Sequence, residues 1–389
     1  MQDYYNLFSN VVKDLKPSGI RRFFGIAAEI PDIISLGVGE PDFMTPLPIR
    51  KAGIEALERG YTKYTANAGM KELQESVCAY LERRFSMNYK PSQVLVTVGG
   101  SEGIDLALRA FVNPGDEILI PEPSFVAYDA IARITHGVPV PIVTKAEDDF
   151  RLTPQALRAA ITPKTKMLVF PFPNNPTGGV MRREHMEEIA AILRDTNILV
   201  LSDEIYAELT YAGDTHVSIS TLPSMYERTI LVGGFSKAYA MTGWRLGYVC
   251  APQPIVDMMG RIHQYALMCA PTTAQYAAIE ALKPESDKEI AAMCASYDKR
   301  RRMVVERLNK MGLSCFDPHG AFYVFPSIQS TGMTSLQFCE ALLEKKVALV
   351  PGDAFGESGE GYIRICYCYS VEHLTEAMNR VEQFLGELR

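Results

Sequence analysis

Lys237 lies in Gly234-Phe235-Ser236-Lys237, directly after the apolar run Thr229-Ile230-Leu231-Val232-Gly233. An amine placed where a buried strand ends loses solvation, which lowers its pKa and frees it for Schiff-base chemistry. Two more polar groups sit in the same kind of place. Asn175, in Pro173-Asn174-Asn175-Pro176-Thr177-Gly178-Gly179, follows the run 167–172, and Asp203, in Ser202-Asp203-Glu204-Ile205-Tyr206, follows the run 198–202. Singly, each has a plain structural use: Asn-Pro-Thr-Gly makes a turn, an aspartate caps a helix, a lysine is solvated in a loop. At the same end of successive strands they point to one cleft, because ligands of open parallel sheets bind outside the strands' carboxyl ends.

A fourth element, Val98-Gly99-Gly100-Ser101-Glu102, joins a strand to a helix. Its glycines let backbone N–H groups approach closely, and a helix N-terminus favours an anion. It is neither a Walker motif nor a full dinucleotide fingerprint, so a phosphate monoester fits better than a nucleotide.

The elements that must position these groups alternate in type. Strands are predicted over 94–98, 117–120, 167–170, 198–201, 229–233 and 246–251, with helices over 102–111, 128–134 and 184–193 between several of them. Continuous apolar strands separated by helices imply an α/β fold with a mostly parallel central sheet covered on both faces. After about residue 284 the texture changes. A long charged helix over 287–311 leads into short strands at 321–325 and 362–366 and a closing amphipathic helix over 371–388. The expectation is a large domain over 46–283 and a smaller α+β domain built from 1–45 plus 284–389. The basic run Lys299-Arg300-Arg301-Arg302 reads as a solvated helix face.

A chain of 389 residues is long enough for two cores. Hydrophobic residues at 47% and charged residues at 22% are ordinary globular composition, and a net charge of −7 argues against nucleic acid or an anionic membrane as partner. Eight irregularly spaced cysteines without a C-x-x-C pair read as buried thiols of a reducing compartment, with Cys366 and Cys368 as same-face neighbours. Six scattered histidines show no metal-ligand spacing. The N-terminus lacks signal-peptide regions, and no apolar run approaches the ~18 residues needed to span a bilayer. Together these features make a cytoplasmic protein the expectation.

The motifs Gly37-Val38-Gly39-Glu40-Pro41-Asp42-Phe43, Tyr64 with Asn67-Ala68-Gly69, Asn174-Asn175-Pro176-Thr177-Gly178, Ser202-Asp203-Glu204-Ile205-Tyr206, Ser236-Lys237 with Gly243-Trp244-Arg245, and Arg364 run through most of the chain. With them the chain resembles the class I pyridoxal-phosphate aminotransferases of fold type I, over essentially its whole length. The resemblance implies that Lys237 holds pyridoxal 5'-phosphate as a Schiff base and then acts as the general base that moves the substrate Cα proton. Asp203 would keep the ring nitrogen protonated, and Asn175 and Tyr206 would bond the ring's phenolic oxygen. Gly100, Ser101 and Glu102 would offer N–H groups to the phosphate, with Ser236 and Arg245 adding a hydroxyl and a guanidinium. Phe125 would stack on the ring. Arg364 would grip the substrate α-carboxylate through two parallel bonds, assisted by the Gly39 N–H and by Asn175. Tyr64 would reach the phosphate of a neighbouring subunit, making a homodimer with shared sites. Position 234 is glycine where many members carry a serine that also donates to the phosphate.

The implied reaction is ping-pong transfer of an amino group from an L-amino acid (aspartate, aromatic or related) to a 2-oxo acid such as 2-oxoglutarate. The Lys-Asp-Asn set serves a C–S β-lyase of the same fold equally well, and that alternative stays open. Texture such as Ser18-Gly19-Ile20-Arg21-Arg22-Phe23 and Gly320-Ala321-Phe322-Tyr323 resembles the bacterial subgroup of aspartate, aromatic and N-acetyl-diaminopimelate aminotransferases. Arg21 or Arg22 is the candidate for a distal substrate carboxylate.

Overall fold

The computed structural model describes residues 4–15, Gly25 and 30–388; Arg21 and Arg22 lie outside the described residues. In chain order the strands are β1 (Ile34–Ser35), β2 (Val94–Thr97), β3 (Glu117–Glu122), β4 (Val138–Val143), β5 (Thr165–Phe170), β6 (Leu199–Asp203), β7 (Thr229–Gly234) and β8 (Gly247–Cys250), then β9 (Tyr323–Val324), β10 (Val347–Ala348), β11 (Val350–Pro351) and β12 (Ile363–Cys366). Seven of them form one sheet in the order β2-β8-β7-β6-β5-β3-β4. The α/β architecture with a mostly parallel central sheet is therefore as expected.

Burial explains why these runs are strands. β2, β8 and most of β5, β6 and β7 are buried along their length, as in a sheet covered on both sides. Alternate residues feed two clusters. Met167, Val169, Leu201, Ile230, Val232 and Val249 pack with Ile104 and Leu108 of the Gly99–Phe111 helix. Leu168, Phe170 and Val200 pack with Met186, Ile189 and Leu193 of the Arg183–Leu193 helix. Each such fully buried side chain contributes about 1.5–3 kcal/mol before the entropy of ordering it. Gly103 lets the Gly99–Phe111 helix lie close on the sheet, since a Cβ there would come within 2.8 Å of Val249 Cγ2.

Two features of the sheet depart from the sequence reading. β8 runs antiparallel to both β2 and β7. The link from β7 to β8 carries no crossover helix, only a short 3-10 turn at Thr242–Trp244, and without a crossover the chain can return only antiparallel. β4 was not anticipated. Its sequence, Val-Pro-Val-Pro-Ile-Val, has two residues without N–H donors, which suits an edge strand and hides it from a periodicity reading.

A second body of structure gathers around the Asp287–Met311 helix. β11, β12 and β9 form an antiparallel sheet, and β1 pairs parallel with β10. Ile34 and Leu36 share one buried cluster with Tyr297, Val304, Leu308, Phe322, Phe338, Ile363 and Val381. The segment 321–325 is strand only at Tyr323–Val324, because Ala321 takes φ 56° and breaks the extended run. Cys366 and Cys368 are adjacent free thiols, Sγ to Sγ 2.7 Å, just where β12 ends.

The reading of residues 299–302 as a solvated face is corrected. Lys299 and Arg302 are exposed, but Arg300 and Arg301 are buried. Arg300 Nη1 donates to Asp42 at 2.8 Å and its guanidinium covers Phe43 and Tyr297, while Arg301 pairs with Asp298 and Asp317. Buried arginine is tolerated because each positive charge has a carboxylate partner. Among the described residues no helix is long and apolar enough to cross a membrane, and no group of histidine, cysteine and carboxylate side chains could hold a metal.

Candidate active site

β2, β5, β6 and β7 run parallel to one another, so the residues after their carboxyl ends emerge on one edge of the sheet. There they line a cavity of about 300 Å³ with Gly100, Ser101, Phe125, Asn175, Asp203, Tyr206, Ser236, Lys237 and Arg245. Gly39, Tyr323 and Arg364 line it too, brought by the segment after β1 and by β9 and β12. Of the cofactor- and substrate-site residues singled out in the sequence, two of the described ones lie outside the lining. Glu102 turns its carboxylate away, accepting from the Val98 N–H and contacting His263 Nδ1 at 2.6 Å. Tyr64 is 80% exposed on the outside of this chain.

Lys237 is part-buried, and its Nζ donates to the Gly39 carbonyl at 2.7 Å. Its amine stands 5.7 Å from the Phe322 ring centre and 5.9 Å from that of Tyr206. Burial lowers its pKa below the ordinary lysine value, with the neighbouring Arg364 pushing the same way and the Cys366 and Cys368 thiols opposing. A larger share of neutral amine follows, which is the nucleophilic form.

Asp203 ends β6 and is 7% exposed. Burial raises its pKa above the usual carboxylate value. The Tyr128 hydroxyl, bonded to Oδ2 at 2.7 Å, and the Ile205 N–H, bonded to Oδ1 at 3.2 Å, pull it back down. Tyr206 bonds Tyr323, hydroxyl to hydroxyl, at 2.9 Å. Burial pushes the Tyr206 pKa up, opposed first by that bond and then by Arg364.

Arg364 packs over two rings, with its guanidinium carbon 4.5 Å from the Tyr323 centroid and 4.7 Å from that of Phe355. Nη1 donates to Asn175 Oδ1 at 2.8 Å and Nη2 to the Gly37 carbonyl at 2.5 Å. A planar fork so clamped can present parallel donors to a carboxylate.

At the other end of the cavity the backbone makes a cradle. Gly99 has φ +76°, and a Cβ there would come within 2.7 Å of Arg245 Nη2, so only glycine permits this turn beside the guanidinium. The departure at Gly234 has a packing cause. A Cβ at 234 would lie 2.8 Å from Ile205 Cδ1 and 3.3 Å from Gly247 Cα, and a serine would have to displace Ile205 or β8.

Sequence reasoning missed Tyr128, Thr242 and Tyr323, along with the apolar wall of Ile104, Pro171, Pro173 and Ile205. Tyr323 was within reach, since its segment had been singled out for its texture. Tyr128 carried no local signal, because the residue it bonds is 75 positions away.

Comparison with known proteins agrees with this geometry. Residues 31–381 match the profile of the family described as aminotransferase class I and II. The chain is 46% identical over 376 residues to an aspartate aminotransferase of Pyrococcus abyssi, covering 96% of this chain and 97% of the relative. It is 44% identical over 382 residues to aromatic-amino-acid aminotransferase 2 of Thermococcus litoralis, covering 97% and 98%. A crystal structure of an aromatic aminotransferase from Pyrococcus horikoshii OT3 superposes with a TM-score of 0.90 at 43% identity, covering 95% of this chain and 99% of that one. With the cavity, its buried lysine and these full-length matches in agreement, the chain belongs to the class I and II aminotransferases.

Proposed function

We propose that this aminotransferase moves the amino group of an L-amino acid (aspartate, aromatic or related) to a 2-oxo acid such as 2-oxoglutarate, in two half-reactions, with pyridoxal phosphate held at Lys237. One observation carries the reading: a buried lysine whose proton is disfavoured shares a cavity with a buried carboxylate, a clamped arginine and a glycine cradle.

The donor set fits this cofactor. The Gly99 cradle, the Gly100 and Ser101 N–H groups at a helix N-terminus, Ser236 and Arg245 suit a phosphate dianion. Asp203 suits a protonated ring nitrogen, Phe125 a ring face, and Asn175 with Tyr206 a phenolic oxygen. The Nε of Arg364 is a buried donor without a partner among the described residues, so the guanidinium has capacity left for a carboxylate. Bound there, pyridoxal phosphate supplies an aldehyde that condenses with amines and a ring that accepts the electron pair left when Cα loses its proton. The protein's own groups do the rest. Arg364, with the Gly39 N–H, fixes the α-carboxylate and so aims the Cα–H bond at Lys237. Lys237 Nζ, whose protonated form burial disfavours, takes that proton and returns it. The phenols of Tyr206 and Tyr323 stay protonated and act as donors.

Tyr64, exposed and outside the lining of its own cavity, would serve a partner's site in a homodimer. The residues 46–283 would form the cofactor-holding domain, and 1–45 plus 284–389 the smaller one.

The test uses purified protein, pyridoxal phosphate and an amino donor alone. One equivalent of 2-oxo acid and of pyridoxamine phosphate should form and the reaction should stop, resuming when 2-oxoglutarate is added. Continuous release of pyruvate and ammonia without an acceptor would identify β-elimination instead. A panel of donors against 2-oxoglutarate then assigns the substrate.

A further inference from the structure

The carboxylate of Asp203 is held from inside the protein by a residue from a different element. Tyr128 lies on the Ala127–Ile134 helix and is 3% exposed. Its hydroxyl donates to Asp203 Oδ2 at 2.7 Å. Phe125 packs edge-on against its ring, centroid to centroid 5.7 Å, and so fixes where the hydroxyl points. A carboxylate withdrawn from water is driven to take up a proton, and a protonated Asp203 would have nothing with which to hold a cation. A neutral donor that cannot itself release its proton answers this need. Burial beside Asp203 pushes the Tyr128 phenol well above its ordinary pKa, so it can give a hydrogen bond and no more.

We propose that Tyr128 is a positioning residue of this active site, whose hydroxyl orients Asp203 and keeps it ionised so that the carboxylate can pair with a protonated ring nitrogen. The inference rests on the reading of the cavity as a pyridoxal phosphate site and adds to it a residue that acts only through Asp203.

The test titrates apoprotein, wild type and Tyr128→Phe, with two ligands by calorimetry. One is pyridoxal phosphate. The other is its deaza analogue, in which carbon replaces the ring nitrogen. Loss of a hydrogen bond to a charged group should weaken pyridoxal phosphate about tenfold in the variant. Binding of the analogue, which offers Asp203 no nitrogen, should stay within about twofold. In parallel, nitrogen NMR of bound labelled cofactor should show the ring nitrogen moving towards its unprotonated position in Tyr128→Phe. Equal weakening of both ligands would make the hydroxyl merely structural, and unchanged affinity with an unmoved resonance would remove any role; either overturns the inference. Failure of wild-type apoprotein to bind either ligand would overturn the cofactor reading itself and this inference with it, a result distinct from the other two. If Tyr128→Phe proves unstable, Tyr128→Leu removes the hydroxyl without supplying another donor, and the same ligand difference decides.

Discussion

Replacing Arg364 by lysine separates geometry from charge. Both side chains are cationic, but only arginine offers parallel donors in a plane, and here the guanidinium packs over the rings of Tyr323 and Phe355. A lysine ammonium at the same place would give a substrate carboxylate one bond where, on the proposed reading, the guanidinium would give two. Losing one charge-assisted bond costs about 1.5–3 kcal/mol, which is roughly 10- to 150-fold in kcat/KM. The substitution also leaves Asn175 Oδ1 or the Gly37 carbonyl short of a donor, so some loss of thermal stability accompanies it. The assay must therefore distinguish the two effects. Wild type and Arg364→Lys are compared on an amino acid and on the amine that remains when its α-carboxyl group is removed. Wild type should discriminate strongly in favour of the amino acid, and the variant should lose most of that preference while handling the simple amine much as wild type does. An equal fall on both substrates would refute the assignment and reduce Arg364 to a structural clamp.

Two more perturbations follow from the electrostatics. Lys237→Met should abolish amino transfer yet raise the thermal midpoint of the apoprotein, since burial is the largest influence on this amine and removing a desolvated cation gains about 0.5–2 kcal/mol; a lower midpoint, read by calorimetry, would show that the bond to Gly39 outweighs that cost. Asp214 is held below the usual carboxylate range by its paired bonds from Arg182, at 2.8 and 2.9 Å, and secondarily by His319. A depressed folded pKa means stability that is present above the unfolded value of about 3.9 and lost as pH falls through the folded value. Asp214→Asn should thus be less stable than wild type near neutrality, with the gap narrowing as pH falls below the unfolded carboxylate value of about 3.9; a gap in urea midpoint that persists unchanged in acid would contradict the linkage.

What could be read from the sequence, and what could not, divides by the range of the interactions involved. Lys237, Asp203 and Asn175 were visible because each lies just beyond a strand whose apolar run is itself unmistakable, and parallel strands bring their ends together without further information. The same logic located the Gly99-Gly100-Ser101 turn. Contacts made by the tertiary fold left no such trace. Tyr323 meets Tyr206 across 117 positions, and Arg300 meets Asp42 across 258. A basic run with its acids so far away in the chain looks solvated, which is why half of 299–302 was misread. The direction of β8 was hidden for a related reason, since an apolar run is the same in either sense and only the helix-free link from β7 decides.

These long-range contacts share a pattern that bears on how the site is built. The groups read from the ends of predicted strands come from the edge of the central sheet, whereas Arg364 and Tyr323 come from β12 and β9 of the other body. Arg364 reaches Asn175, Tyr323 reaches Tyr206, and Lys237 reaches Gly39, so each bond across the cavity ties one body to the other. A substrate carboxylate seated on Arg364 therefore engages residues of both bodies through Arg364 and its partner Asn175. Substitutions that loosen the second body without touching the cavity, such as Phe355→Leu under the guanidinium, should accordingly raise KM for the amino donor more than they lower cofactor affinity.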